Sequence, residues 1–525
     1  MARQAGLGGR VIGGIAWTFS GTAAQAILQV ATTMVLARLL TPEVFGAVAA
    51  ALVVIKVAQF FTALGMSGAI IQRADLTEQH IKAAFAMLIA FGTLMWAVIQ
   101  LSAPWIAAFY RIPEVENIVR LLAFTLLFNN AMEVAGGLLR RELRFRAIAI
   151  ITVIGFAIGY AVIGIGLAWL GYGVYALAAA HVAQTAVSMI LMLIWRPHPK
   201  SLLIRWTPMI DLLRFGSGMM AWRTASNVAL EVDNLVVGRW LGAADLGLYS
   251  RAYWLAATPA VLFGRGIATV LFSALSRLQA DPERLAKAYL RGVAATNVIA
   301  VPASVTIAIL APDIVLVVLG EQWTGAVPAL RILAIGLLFR LSVRVSDSLT
   351  GAAGAVYRTA IIQWSYAGLV AIGAYLGHFF GIEGVAFGIL GALALNFLLM
   401  TGLALHLTKL GVGDLLRTFV PGVRTTVVLG PVLLALQLWL HSLGVPALLV
   451  LVLALLAIAL VGLLMLRLAP RLFLGDDGIW VLHVVLGKLP ARVANLARRA
   501  VAPAFRPSRQ AGGRGAAPQV DPELV

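Results

Sequence analysis

Cysteine is absent from the 525 residues, so neither a disulfide nor a thiolate metal site can contribute. Charge is nearly as scarce. Only 12% of the residues are Asp, Glu, Lys or Arg, about half the share of an average soluble domain, and no extended polar stretch leaves room for a large soluble domain. GxxxxGK[ST] loops, HExxH pairs and GxSxG elbows are missing from suitable loops. The seven histidines, among them His181 and His441, show no metal-ligand spacing. An enzyme is not expected, and no metal or cofactor is implied.

What is present is apolar: 61% of the chain is hydrophobic and the mean hydropathy is +0.95. Runs long enough to cross a hydrocarbon layer, roughly 20 residues for about 30 Å, fall near 12–36, 44–71, 83–110, 114–138, 147–170 and 173–195. A second series follows near 212–240, 245–275, 288–319, 325–353, 359–380 and 382–408, with two more near 418–440 and 446–467. Transmembrane strands would need short alternating segments, which are missing. The prediction is an all-α integral membrane protein of about fourteen transmembrane helices. The opening MARQAGLGGR reads as the flank of a retained first span rather than a cleaved signal.

A net charge of +18 would suggest nucleic acid in a soluble protein. In a membrane protein it reads first as charge flanking cytoplasmic loops, and no nucleic-acid partner is expected. With a cytoplasmic N-terminus the inner connections hold many cations, Arg140, Arg141, Arg144, Arg146, Arg284 and Lys287 among them. The outer connections hold Arg38, Arg111 and Arg239, so the positive-inside rule is met with both termini cytoplasmic.

The chain also matches itself. VRLLAFTLLFNN (Val119 to Asn130) aligns with LRILAIGLLFRL (Leu330 to Leu341) at an offset of 211, which also pairs Gly173-Val174 with Gly384-Val385. LARLLTPEVFG (Leu36 to Gly46) aligns with VGRWLGAADLG (Val237 to Gly247) at an offset of 201, Arg38 and Arg239 each preceding a glycine by eight residues. Each copy holds six spans, so the copies are parallel repeats about an axis along the membrane normal, and a substrate site belongs in the cleft between them, as in alternating-access transporters. The expected organisation is an N-terminal six-helix lobe (1–200), a C-terminal six-helix lobe (201–410) and two extra helices (411–468). A cytoplasmic tail (469–525) follows, amphipathic and then disordered.

These two six-helix lobes with two added helices, LARLLTPEVFG, and RRELRFRA (Arg140 to Ala147) resemble the polysaccharide transporter family. That family belongs to the multidrug, oligosaccharidyl-lipid and polysaccharide exporter superfamily. The resemblance implies a bacterial inner-membrane flippase that moves undecaprenyl-pyrophosphate-linked oligosaccharide units to the periplasmic leaflet. It also implies coupling to an ion gradient and work beside polysaccharide polymerase machinery. A multidrug exporter of the same superfamily is the alternative, and a polytopic glycan polymerase or ligase is a further one from a different class.

Ionisable groups at mid-membrane cost about 2.5–3.5 kcal/mol each on insertion scales, so those retained face a cavity or a partner. Here they are Lys56, Arg120 and Glu133 in the first lobe, and Arg223, Glu231, Asp233, Arg251, Arg265, Arg331, Arg340, Arg344 and Asp347 in the second. Cations outnumber anions by eight to four, a balance that suits a diphosphate because guanidinium forks match phosphate oxygens. Arg340 and Arg344 lie one turn apart with Asp347 on the same side, and Arg251 and Arg265 lie close to four turns apart. With Lys56 and Arg223 these are the candidate substrate-binding residues. Glu231, Asp233, Glu133 and Asp347 are the coupling candidates, and the plain alternative for each is an ion pair that fastens helices. Tyr249, Tyr253 and Trp254 beside Arg251 are candidate sugar contacts, against the commoner interfacial belt.

Overall fold

The computed structural model describes residues 7–63, 66–73, 75–200, 229–279, 281–475 and 478–479. Every regular element among them is a helix, and eleven helical stretches are long and apolar enough to cross a membrane. Arg223 and nearly all of the tail lie outside the described residues, as do the side chain of Arg265 and most of the seventh apolar run.

The first repeat opens with α1 (Leu7–Leu39), α2 (Pro42–Ala63), α3 (Met66–Gln72), α4 (Glu78–Tyr110) and α5 (Val115–Arg141). It continues through α6 (Phe145–Phe156), a π-helical segment (Ala157–Gly164), α7 (Ile165–Trp169) and α8 (Val174–Trp195). The second holds α9 (Val232–Trp240), α10 (Ala243–Arg277), α11 (Pro282–Val318), a 3-10 turn (Glu321–Ala326), α12 (Val327–Ala352), α13 (Val356–Gly377) and α14 (Gly381–Thr408). Two further helices, α15 (Val412–Ser442) and α16 (Ala447–Leu468), lie outside the duplication.

Local chemistry sets the joints. Pro42 begins α2 at the first helical position, where its missing N–H costs nothing, and Glu43 follows in the positive first turn. The matching joint between α9 and α10 instead turns through Gly242 at φ 94°, a conformation only glycine adopts cheaply. Upstream of α9, Ala229 is helical but Leu230 and Glu231 form a turn, so the helical run is broken there. RRELRFRA proves to be a brace. The Arg141 guanidinium donates to the Ile70 and Arg73 carbonyls at the end of α3 (2.8 and 2.5 Å), Arg140 donates to Ser67 Oγ (2.6 Å), and Arg196 at the end of α8 pairs with Glu142 (2.7 Å).

Two compact units arise by packing. One comprises Met1–Trp254, Val315–Ala329 and Gln363–Ile389. Its core includes Met66, Ile70, Met87 and Leu88, and small residues let α6 and the π segment press on α8: a methyl on Gly159 would meet the Ala180 carbonyl at 2.6 Å. The other comprises Leu255–Ile314, Leu330–Ile362 and Leu390–Val525. There α15 and α16 dock on α11 through Leu310, Leu429, Leu433 and Ala454. Their other faces leave Leu438, Leu455, Leu456 and Leu460 exposed, as lipid-solvated helices do.

Candidate functional site

Within the first unit, the two repeats meet where α1 turns into α2 and α9 into α10. The contact is reciprocal. A side chain on Gly46 would fall on the Ala243 carbonyl, and one on Gly247 would fall on the Pro42 carbonyl. The offset of 201 turns one statement into the other, as across a two-fold axis. A second contact repeats the relation. Trp323 lies against Ala37, its Nε1 donating to the Ala37 carbonyl at 2.9 Å, while Tyr110 lies against Gly238, the position matching Ala37. Gln322 donates to the carbonyls of Ala37 and Leu40 (2.5 and 3.2 Å), and Arg38 to that of Val317 (2.8 Å), so the last carbonyls of α1 are satisfied by the second repeat. Trp323 is fully buried, edge-on to Phe45 at 5.1 Å.

Beside this crossing lie several of the sequence-predicted residues. Lys56 Nζ reaches Glu231 Oε1 at 2.7 Å and joins α2 to the broken start of α9. The lysine side chain is 48% exposed and the glutamate 12%, so the cation is the accessible partner. The second glutamate oxygen, Oε2, is buried with no hydrogen-bond partner. Asp233 is buried and accepts from Tyr249 Oη (2.8 Å) and from the Asn234 amide (2.8 Å). The Arg251 guanidinium lies over Phe45 at 5.1 Å and near Trp254 at 5.9 Å, with its Nε buried and unpartnered. Lys56 stands eleven residues beyond Phe45 on α2, about 16 Å of helix rise, so the two cations lie at different depths. One further polar pair lies in this unit, the side chains of Tyr160 and His181 meeting at 3.2 Å.

Two further groups of candidates remain. Glu133 lies 3.9 Å from Arg140 in the first unit. Arg340, Arg344 and Asp347 share α12 in the second unit, where Arg340 and Asp347 are half-buried and Arg344 is exposed with no ion pair among the described residues. Tyr249 is fully buried, so its ring is not an open stacking surface. Two polar clusters escaped the sequence reading. Tyr160–His181 was hidden because only the π segment brings the pair together. Asp313, fully buried, takes Gln437 at 2.6 Å and His441 at 2.9 Å, and its signal was a carboxylate inside AILAPDIVLVVL.

A duplicated all-helical fold joined by reciprocal contacts, with cations beside the joint, is that of a multi-pass membrane protein. Solved structures share the fold. A lipid II flippase MurJ in an inward closed conformation superposes with a TM-score of 0.69 at 15% identity, covering 86% of this chain and 98% of that one. An inward-facing multidrug resistance MATE transporter of the MOP superfamily gives 0.57 at 18%, covering 73% and 96%. Residues 35–328 match the family model described as polysaccharide biosynthesis protein, and the chain belongs to that family. Relatives include the succinoglycan biosynthesis transport protein ExoT of Rhizobium meliloti (strain 1021), 28% identical over 61% of this chain, and the lipopolysaccharide biosynthesis protein WzxC of Escherichia coli (strain K12), 25% identical over 63%. The matches span 65% and 67% of those relatives' own lengths. The family resemblance read from the sequence is thus borne out, as is the all-α membrane fold.

Proposed function

We propose that this protein flips undecaprenyl-pyrophosphate-linked oligosaccharide units across the bacterial inner membrane, working by alternating access between its two repeats and without catalysis. Family membership and the likeness to transport proteins supply the class. The observation that carries the substrate is the asymmetric charge beside the crossing. Lys56, half exposed in an otherwise apolar helix, needs water rather than acyl chains around it. Arg251 offers a half-buried guanidinium whose Nε is an unused donor, and a diphosphate is an acceptor-only dianion that takes such donors. Arg340, Arg344, Arg265 and Arg223 are the further cations proposed from the sequence for the diphosphate, while the polyprenyl tail stays in lipid. The closed crossing then lies on the periplasmic side, both termini are cytoplasmic, and an ion gradient together with polymerase machinery completes the export path.

An anionic headgroup arriving at Lys56 competes with Glu231. Displacement leaves a mostly buried carboxylate without its cation, which favours the state in which the crossing parts. In this reading Glu231 and Asp233 are the groups whose charge state follows substrate passage. The test is to delete the gene, identify the lipid-linked intermediate that accumulates on the cytoplasmic leaflet, and attempt rescue with Arg340→Ala and Arg344→Ala. Accumulation with failed rescue is expected. Normal glycan export in the deletion strain rejects the flippase reading, full rescue by both substitutions removes α12 from the site, and a drug-resistance defect without a glycan defect selects the multidrug exporter.

A further inference from the structure

Gly46 and Gly247 fix where α2 and α10 cross. A methyl at Gly46 would coincide with the Ala243 carbonyl and stand 2.9 Å from the Gly247 amide nitrogen, and one at Gly247 would coincide with the Pro42 carbonyl and stand 3.1 Å from the Pro42 Cα. These are backbone atoms, which cannot rotate aside as a flexible side chain would. The helices therefore touch main chain to main chain at these two glycines.

The residues flanking the crossing are those of the cation seat. Phe45 precedes Gly46, and Arg251 follows Gly247 by one turn. The guanidinium rests on the Phe45 ring, 5.1 Å from its centroid, across this close approach of the two backbones. We infer that Gly46 and Gly247 are positioning residues for an anion site at Arg251, their bare Cα atoms letting the crossing close and the closed crossing seating the guanidinium on Phe45. The ligand class is a phosphate-type anion, and this rests on the reading of the chain as a carrier of diphosphate-linked lipid. Affinity at Arg251 then depends on conformation, because parting the crossing removes the aromatic seat, and a ligand with different affinities for two states shifts the balance between them.

Two readouts on the purified full-length chain test this. Ala37 is fully buried beneath Trp323 at the crossing, and the chain has no cysteine, so maleimide labelling of Ala37→Cys reports whether the crossing is shut. Inorganic pyrophosphate, measured by titration calorimetry, probes the anion seat. Gly46→Ala and Gly247→Ala should each speed labelling and weaken pyrophosphate by about tenfold, within the range of ordinary coupling between sites. Because both substitutions break one contact, the double variant should be no worse than either single one. Gly166→Ala, where nothing lies within 4 Å of the added methyl, should change neither readout. Phe45→Leu, which keeps an apolar side chain against Trp323 but removes the aromatic face, should weaken pyrophosphate while leaving Ala37→Cys protected, which keeps the test open if a glycine variant fails to fold. Equal pyrophosphate affinity in the parent and glycine variants, or additive losses in the double variant, overturns the inference alone. A parent chain that does not bind pyrophosphate overturns the anion reading beneath it.

Discussion

The two sides of the crossing share a backbone and divide the chemistry. Gly46 and Gly247 are interchangeable under the offset of 201, as are Arg38 and Arg239. Yet where the second repeat has Glu231, Asp233, Tyr249 and Arg251, the first has Val30, Thr32, Val48 and Ala50. Lys56 likewise faces Ala257 in the alignment. Duplication built a symmetric joint, and the polar side chains were then placed on it unevenly. A two-fold joint suits two lobes that rock against each other. An uneven set of charges suits a cargo with a charged head and an uncharged tail, which has no two-fold symmetry of its own.

The largest expected effect comes from the side that closes with a tryptophan. Trp323→Ala removes a fully buried indole and its bond to the Ala37 carbonyl, and should cost about 3–5 kcal/mol of stability in detergent, read as a fall in melting temperature. The corresponding contact on the other side is that of Tyr110 against Gly238, and two buried tyrosines then sharpen the contrast. Tyr249→Phe takes a donor from the buried Asp233 carboxylate and should cost about 1–3 kcal/mol. Tyr110→Phe deletes a hydroxyl that has no hydrogen-bond partner, so its change should lie within about 0.5 kcal/mol of zero or be stabilising. Equal losses for the two tyrosine variants would break the distinction between a satisfied polar half and an unsatisfied one.

Sequence pattern was enough for the membrane class, because hydrocarbon forces every span to be apolar and helical. It was enough for the joint as well. Aligning LARLLTPEVFG with VGRWLGAADLG places Gly46 on Gly247, the pair that meets. Partners were harder to read, since charge pairing depends on which helix faces which. Lys56 stands with Arg251 and Arg265 among the substrate-binding candidates of the sequence, and its near neighbour is Glu231. Glu231 and Asp233 cannot share a helical face, and indeed one takes an ammonium and the other a tyrosine hydroxyl. The basic RRELRFRA motif looked like flanking charge, but Arg141 spends its donors on the carbonyls that end α3. Helix ends need such donors wherever they finish, and only the folded chain shows which arginine is near enough.

The most direct measurement exchanges the charges of the pair that spans the repeats. A deletion strain would carry Lys56→Glu, Glu231→Lys or both together, with exported glycan and Ala37→Cys protection recorded for each. Both single variants should lose export and protection. The exchanged pair should recover protection, because the ion pair is rebuilt, yet still fail to export, because the accessible cation has moved to the buried position. Export at the parent level by the exchanged pair would contradict this, leaving the pair as a brace and removing Lys56 from any contact with the cargo.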